Sequence, residues 1–479
     1  MNHEDDHPQL PADWEWSCFG EVAEYTNGRG FGKEEWENEG RPIIRIQNLT
    51  GTADSFNYYS GPVKDKYLVP DGTLLISWSA TLGAYIWRGE EAILNQHIYK
   101  VDSHIDKKYL YYLADFSADG LMQRAHGSGM KHVTKNVFES YPLPVPPLPE
   151  QRRIVAKIEE LFSDLEAGVA DLKRAKKQLQ RYRQSVLQAA VEGRLTEGWR
   201  EEYDTEPADQ LHNRIRCEKK RLYDKGEIRK PKKRPAPKED EVPFGIPEGW
   251  RWIRITELMY NWRSGLERRN SEQGSEREYP YIKMGDITND GRLTLDSVTH
   301  VDAEPEDVEK YKLSRGDFLF NVRNSKKLVG KSCVFDAESD ETYLFNNNIL
   351  RVDFGEKVST RYINYWFCSA AGRDMLEELK SSTTNVAAIY HKDFFTCIVP
   401  FPPLAEQKQI VDEVERLLSV ANEVTQTVER EIKRAERLRR SILKQAFSGK
   451  LVERTDTSHS DVPETVSAED GQVEMQLGT

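Results

Sequence analysis

Polar side chains of the kinds that read nucleic acid bases occur in short loop segments at equivalent places in two halves of the sequence. The run Asn95-Gln96-His97 corresponds to Asn346-Asn347-Asn348, and the segment after Ser77 corresponds to the one that contains Arg323. Amide side chains bind adenine, Arg and Lys bind guanine or phosphate, and hydroxyls bind several of these groups. These loops therefore predict nucleic-acid contacts, although such residues also commonly complete turns. The candidates are Ser77, Ser79, Asn95, Gln96, His97, Ser128, Lys131, Arg323, Asn324, Lys326, Lys327, Asn346, Asn347, Thr383 and Thr384.

One pair of carboxylates has the spacing of a magnesium-dependent nuclease, namely Asp71 and, further on, Asp106 followed by Lys107. The second half of the chain argues against this role, because Arg315 stands at the position equivalent to Asp71. The sequence also lacks a Gly-rich phosphate loop, a dinucleotide-binding glycine motif and a zinc-protease motif. We therefore expect no catalytic residue, no metal site and no cofactor in this chain, with a stand-alone nuclease as the weaker alternative.

The elements that carry these loops are duplicated. Val145–Val155 recurs as Phe401–Val411, each with Pro-Pro-Leu-x-Glu-Gln, and the similarity continues without a gap to Gly193 in one copy and Gly449 in the other. Shorter matches precede both segments, where short apolar runs broken by Gly and Asp indicate strands and turns. The chain is therefore predicted to contain two copies of one unit, each an α+β domain followed by a long helix.

Apolar residues in the two well-matched segments alternate by four and three positions, which is typical of a coiled-coil seam. The apolar face of each helix is narrow and is best buried against another narrow apolar face. The two helices are therefore predicted to form one intramolecular coiled coil. The alternative is two independent helices, each packed on its own domain. The predicted seam and partner-binding residues are Ile154, Ile158, Leu161, Leu165, Leu172, Leu179, Ile410, Val414, Leu417, Val424, Val428 and Leu438.

The 479 residues carry a net charge of -12 with a mean hydropathy of -0.71, which predicts a polar, multidomain protein. Without a long apolar run or a signal peptide, the expected location is the cytoplasm, and the five separated cysteines predict no disulfide framework. Because the chain is so acidic, any DNA phosphates must be bound by local basic patches.

The predicted segments are a first recognition domain (1–148), a first helix (149–195), a basic Pro/Lys-rich linker (196–245), a second recognition domain (246–401), a second helix (402–453) and a disordered acidic tail (454–479).

Taken together, the duplicated plan, the paired Pro-Pro-Leu-x-Glu-Gln helix starts, the Trp14-Glu15-Trp16 and Trp250-Arg251-Trp252 openings and the Gly-Arg/Lys-Leu helix ends closely resemble the specificity (S) subunit of type I restriction-modification enzymes. The resemblance implies an α+β fold, with two target-recognition domains separated by two long helices that form an antiparallel intramolecular coiled coil. It implies that each domain reads one half of a bipartite asymmetric site in double-stranded DNA.

The same resemblance implies that two methyltransferase (M) subunits bind the helices and that restriction/translocase (R) subunits join them. S-adenosylmethionine would then be bound by the methyltransferase, and ATP and magnesium by the translocase. A related phage-defence methylation system without restriction is an alternative. A purely structural coiled-coil protein is less favoured, because it would not need two divergent, aromatic-rich domains.

Overall fold

The computed structural model describes residues 9–53, 55–78, 82–124, 133–231, 234–382 and 386–453. The chain divides into two compact units: the first comprises residues up to Asp171 and from Glu431 onward, and the second comprises Leu172–Arg430. Each unit contains an α+β domain and parts of two long helices, so the predicted duplicated fold class is confirmed. In the described ranges, no helix is both long and apolar enough to cross a membrane.

The first unit contains two small sheets and one strand pair. Strands β2-β9-β6-β7 form an antiparallel sheet, strands β4-β3-β8-β5 form a mixed sheet in which β3 and β8 are parallel, and β1 pairs with β10. The strands are β1 (Glu15–Cys18), β2 (Ala23–Asn27), β3 (Arg41–Ile44), β4 (Asn57–Tyr59), β5 (Leu68–Val69), β6 (Leu74–Ser77), β7 (Gly83–Ile86), β8 (Ala92–Leu94), β9 (Ile98–Ser103) and β10 (Pro142–Val145). The helices are α1 (Phe19–Val22), α2 (Ile46–Leu49), α3 (Lys107–Gln123), α4 (Lys135–Glu139) and the long α5 (Leu148–Val191), which continues into the second unit.

The second unit repeats this topology. Strands β12-β20-β16-β18 match the antiparallel sheet, β15-β14-β19 match the mixed sheet with β14 and β19 parallel, and β11 pairs with β23. Its strands are β11 (Arg251–Arg254), β12 (Asn261–Ser264), β13 (Gln273–Gly274), β14 (Tyr279–Ile282), β15 (Thr299–Val301), β16 (Phe318–Asn321), β17 (Arg323–Asn324), β18 (Ser332–Val334), β19 (Leu344–Phe345), β20 (Ile349–Asp353), β21 (Ser381–Ser382), β22 (Ala387–Ala388) and β23 (Ile398–Phe401). Its helices are α6 (Glu197–Glu202), α7 (Ala208–Asp224), α8 (Ile255–Leu258), α9 (Pro305–Tyr311), α10 (Thr360–Cys368), α11 (Ala370–Glu378), α12 (His391–Phe394) and α13 (Leu404–Ala446), whose last part belongs to the first unit.

The same turn precedes β6 and β16. Gly72 and Gly316 both have positive φ, 77° and 94°, which favours glycine because other residues are strained there. Phe318 and Phe320 then bury their rings in the core of the second unit, as Leu74 and Ile76 do in the first. Asp71 and Arg315 are thus equivalent because each directly precedes the turn glycine that the two repeats share.

The long helices pair antiparallel within each unit. In the second unit, Lys176 contacts Glu429 at 2.7 Å, and one heptad further along α5 Arg183 contacts Asn422, one heptad earlier in α13. In the first unit, Phe162 of α5 lies under the guanidinium of Arg439, which also contacts Glu166. The orientation implied by the family resemblance is therefore present in each unit.

The structure places two of the predicted seam residues of α13 on the exposed side of the helix. Val424 and Leu438 are 42% and 50% exposed, so their prediction as seam residues is wrong. The buried stripe of α13 instead passes through Val414, Leu418 and Ala421. Ile154, Ile158, Ile410, Val414 and Val428 are buried, and Leu161, Leu165, Leu172, Leu179 and Leu417 are half-buried.

The segment predicted as a linker contains a helix that belongs to the core of the second unit. Helix α7 buries Ala208, Leu211 and Ile215, which follow the helical period and pack with the domain. Lys219 on the same face donates to the carbonyl oxygens of Thr256 and Glu257, and burial lowers its pKa to about 8. The description of residues 196–245 as a basic linker is therefore corrected: it applies to the stretch after Asp224.

Candidate nucleic-acid interface

Loops that follow β16, β19 and β22 line a groove of about 390 Å³ in the second unit. Asn321, buried at the end of β16, accepts a hydrogen bond from the backbone N–H of Arg323 at 3.2 Å and donates to the carbonyl of Leu328 at 3.2 Å. This amide fixes the loop while the Arg323 side chain remains exposed. The groove is lined by, among others, Ser264, Arg323, Asn347, Ser381, Tyr390 and His391.

Arg323 lines this groove, and three lysines follow its lining residues closely in the sequence. Arg323, Lys326, Lys327 and Lys392 are exposed, and none forms an ion pair with an acidic side chain in the part of the chain that the structure describes. Such cations can neutralise phosphates without first breaking an internal salt bridge. Arg323 can also donate two hydrogen bonds to a guanine edge.

The sequence prediction missed the run Tyr390-His391-Lys392, of which Tyr390 and His391 line the groove with Arg323. Tyr390 is 55% exposed, and His391 packs on Trp262 with ring centroids 5.1 Å apart. The His391 Nε2 lies 3.2 Å from the Ser264 hydroxyl. The signal in the sequence was the run Tyr390-His391-Lys392 directly before a short helix, since a tyrosine ring combines stacking with a polar tip.

The equivalent turn of the first unit is strained. His97 has φ 71°, although a non-glycine residue in this left-handed region costs roughly 1–2 kcal/mol. Its ring meets the edge of Trp78 with centroids 5.0 Å apart, and its Nδ1 is buried without a hydrogen-bond partner in the described ranges. Gln96 beside it is exposed. Strain held at an exposed polar turn is typical of a binding site.

Glycine lets the chain pass closely under both of these turns. A Cβ on Gly28 would overlap the carbonyl of Asn95, and one on Gly265 would overlap the carbonyl of Phe345. Both glycines precede an isolated bridge, Arg29 with Asn95 in the first unit and Leu266 with Asn346 in the second. One backbone frame thus presents different side chains in the two units.

Two predicted contact residues are corrected. Ser77 is fully buried at the end of β6, where its hydroxyl lies 3.4 Å from the Gly83 carbonyl oxygen. Asn346 is buried and donates to the Tyr281 hydroxyl at 2.9 Å. Both side chains are used inside their domains, so neither can reach DNA in this conformation.

The other predicted residues divide by location. Asn95 and Asn324 accept hydrogen bonds from the next backbone N–H at 2.9 and 2.8 Å, as turn residues do, yet remain partly exposed. Gln96, His97, Arg323, Lys326, Lys327 and Asn347 are exposed or partly exposed and remain predicted contacts. Ser79, Ser128, Lys131, Thr383 and Thr384 lie outside the described residues.

Both carboxylates of the nuclease alternative are used in local structure. Asp71 accepts from the backbone N–H of Gly89 at 3.1 Å and faces Arg88. Asp106 caps α3 by accepting from Lys108 and Tyr109 N–H groups. Among the described residues, no three His, Cys, Asp or Glu side chains are placed to hold a metal ion.

The repeated Pro-Pro-Leu-x-Glu-Gln segment joins each domain to its helix. Gln151 accepts from the backbone N–H of Asp106 at 2.8 Å and donates to the carbonyl of Pro146 at 2.8 Å. Gln407 makes the equivalent bonds, with Ser359 N–H at 2.8 Å and the Pro402 carbonyl at 2.9 Å. The signature is thus explained by a buried joint that both units share.

A second joint lies further along the helices, where an arginine reaches an aspartate of the domain. In the second unit Arg183 lies 3.5 Å from Asp290. Burial opposes ionisation of Asp290, but the Thr288 hydroxyl and the charges of Arg183 and Arg292 outweigh it and lower the pKa of that carboxyl. In the first unit the equivalent Arg439 lies 3.7 Å from Asp115, whose pKa is raised by burial.

Two α+β units built on one repeated frame, each with its own polar loop surface and each joined to a pair of helices, define a class of duplicated protein with similar but non-identical halves. Within that class the family is shown, because the model for the type I restriction modification DNA specificity domain matches residues 11–173 and 247–434. The chain belongs to this family.

The similarity to known relatives and to a solved structure extends over most of this chain. The chain is 25% identical over 462 residues to the Escherichia coli type I restriction enzyme EcoBI specificity subunit, covering 94% of this chain and 88% of that one. It is 24% identical over 457 residues to the MjaVIII specificity subunit of Methanocaldococcus jannaschii, covering 92% and 94%. A chain solved in a study of complex assembly and conformational transition of the type I R-M system has 19% identity and a TM-score of 0.57, covering 93% of this chain and all of that one.

Proposed function

We propose that this chain is the DNA-reading subunit of a type I restriction-modification complex and that each unit reads a different half of a bipartite, asymmetric site. One observation carries the proposal: the same frame presents Gln96 and His97 in the first unit but Asn347 beside Arg323 in the second. Since different side chains read different base edges, the two half-sites differ in sequence.

In this proposal the reaction chemistry belongs to partners. Two methyltransferase subunits dock on the paired helices and hold S-adenosylmethionine, and restriction/translocase subunits supply the ATP- and magnesium-dependent steps. Exposed apolar side chains on the helices support a docking role: Val420 and Val424 lie one helical turn apart on α13 and are 65% and 42% exposed. The chain itself acts by binding and positioning DNA.

Methylome sequencing tests this proposal. A host that carries the chain with its methyltransferase should show methylated adenines in one bipartite sequence. Replacing residues 11–145 with the corresponding domain of a relative should change one half-site and leave the other unchanged. A replacement that altered both halves, or methylation that ignored the exchange, would refute independent reading by the two units.

A further inference from the structure

The basic segment that follows α7 lies against the recognition face of the second unit. The guanidinium of Arg229 lies over the Trp262 ring at 4.9 Å, and Trp262 packs in turn on His391, which lines the groove with Arg323. The segment thus adjoins the predicted DNA-reading loops through a continuous series of contacts.

The C-terminal part of this segment, at Arg234 and Pro235, also contacts the domain of the second unit. Arg234 donates to the carbonyl of Lys392 at 3.1 Å, and Arg254 donates to the carbonyl of Pro235 at 3.3 Å. Arg254 is itself held by Glu241 at 2.6 and 2.7 Å. Pro231 and Pro235 each restrict the backbone at their own position. The domain therefore positions Arg229, Arg234 and Pro235 of this segment.

The charges of Arg229 and Lys230 are not neutralised by acidic side chains of the described ranges. Arg229 and Lys230 are exposed, and no acidic side chain of the described ranges forms an ion pair with either. The nearby Glu227 contacts Lys225 at 3.8 Å, and Glu241 is occupied by Arg254. A chain with net charge -12 thus concentrates unpaired cations beside its reading groove.

We propose that Arg229 and Lys230 form a phosphate-binding arm that contacts the DNA backbone next to the half-site read by the second unit. This inference rests on the proposed function and adds a sequence-independent contact to it. Cations on backbone phosphates raise affinity and fix register but carry no base information. The arm comes from the segment between the two repeats and contacts residues of the second unit.

The test is the salt dependence of DNA binding by the full chain purified with its methyltransferase partners. The probes are a fluorescent random-sequence duplex and a duplex carrying the methylated target. Removing two phosphate contacts with Arg229→Gln/Lys230→Gln should lower the slope of log Kd against log salt by about 1.8, or roughly tenfold less affinity lost between about 50 and 200 mM salt. The change should be equal on both duplexes.

The matched control is Lys310→Gln/Lys312→Gln, which removes the same charge at the end of α9, where Glu306 and Glu309 already pair with these lysines. Its slope should stay at the wild-type value. A thermal melt of each variant establishes that the fold is intact. An unchanged slope for the folded Arg229/Lys230 variant, or an equal change in the control, overturns the arm. A wild-type complex that binds both duplexes equally would instead refute the proposed function and leave the slope comparison readable.

Discussion

Trp250 donates its indole N–H to the carboxylate of Glu406 at 2.7 Å, inside the second unit. The same carboxylate accepts from Thr196 at 2.7 Å and from Arg200 at 2.6 Å. Glu406 belongs to the repeated Pro-Pro-Leu-x-Glu-Gln segment and Trp250 to the repeated tryptophan opening. The tryptophan opening and the Pro-Pro-Leu-x-Glu-Gln segment are thus distant in sequence but joined by one buried hydrogen bond.

The first unit keeps both residues, but its described part does not show the same contacts. Trp14 and Glu150 are buried there, yet Trp14 Nε1 and Glu150 Oε1 have no hydrogen-bond partner among the described residues. We expect Glu406→Gln to lower the free energy of unfolding by about 1.5–3 kcal/mol, because hydrogen bonds to a charged group are lost and Arg200 is left without its partner. Glu150→Gln is the matched control and should cost less. Chemical denaturation of both variants measures the difference, and equal losses would contradict this explanation.

Two substitutions of His97 can distinguish its effect on stability from its role in recognition. Because His97 holds φ 71°, His97→Gly should raise the free energy of unfolding by up to about 1 kcal/mol, whereas His97→Ala should not. Both variants remove the imidazole and should therefore weaken or alter methylation at one half-site. Melting curves and methylome sequencing of the two variants check this. A glycine variant that is stabilised and keeps its target unchanged would exclude His97 from recognition.

Arg323 should affect one half-site only. Arg323→Ala is expected to cost about 1–3 kcal/mol of discrimination at one base pair, because a bidentate arginine contact is lost. Arg315→Ala is the control: this arginine of the same domain is exposed and pairs with Glu338 at 3.1 Å. Competition binding with single-base variants of the target gives the discrimination directly. Uniform weakening on every sequence would make Arg323 a phosphate contact instead.

Asp290 should make the stability of the second unit depend on pH. Its pKa is lowered on folding, so it stabilises the fold above the unfolded pKa of about 3.9, and this contribution is lost as pH falls through the lower folded value. Asp290→Asn should therefore be less stable than wild type at pH 7, by about 1–2 kcal/mol, with the difference shrinking toward pH 3. Denaturant unfolding across this range measures it. A difference that does not change with pH would show that the Asp290 charge is unimportant.

The helix starts, the duplication and the fold class could be predicted because they depend on local patterns. The prediction placed Leu417 in the seam, whereas Leu418 is the buried residue, because both are apolar and periodicity alone does not choose between them. Arg183 of α5 reaches Asp290 of the domain, a tertiary contact that no heptad pattern contains. The burial of Asn346 could not be predicted either, because it depends on a tertiary hydrogen bond from its amide to the Tyr281 hydroxyl.

Val424 is exposed where a seam residue would be buried, and this makes the docking role of the helices testable. Val424→Ser should change the free energy of unfolding by less than about 0.5 kcal/mol, because an exposed side chain away from core contacts contributes little. It should nevertheless reduce the amount of methyltransferase that co-purifies with the chain, since an exposed valine that becomes buried against a partner contributes about 1.5–3 kcal/mol to binding. Val428→Ser, four residues on and 6% exposed, is the opposite case and should lower stability first. Retention of the methyltransferase by the Val424 variant at the wild-type level, with stability unchanged, would mean that the partner binds a different face of the helices.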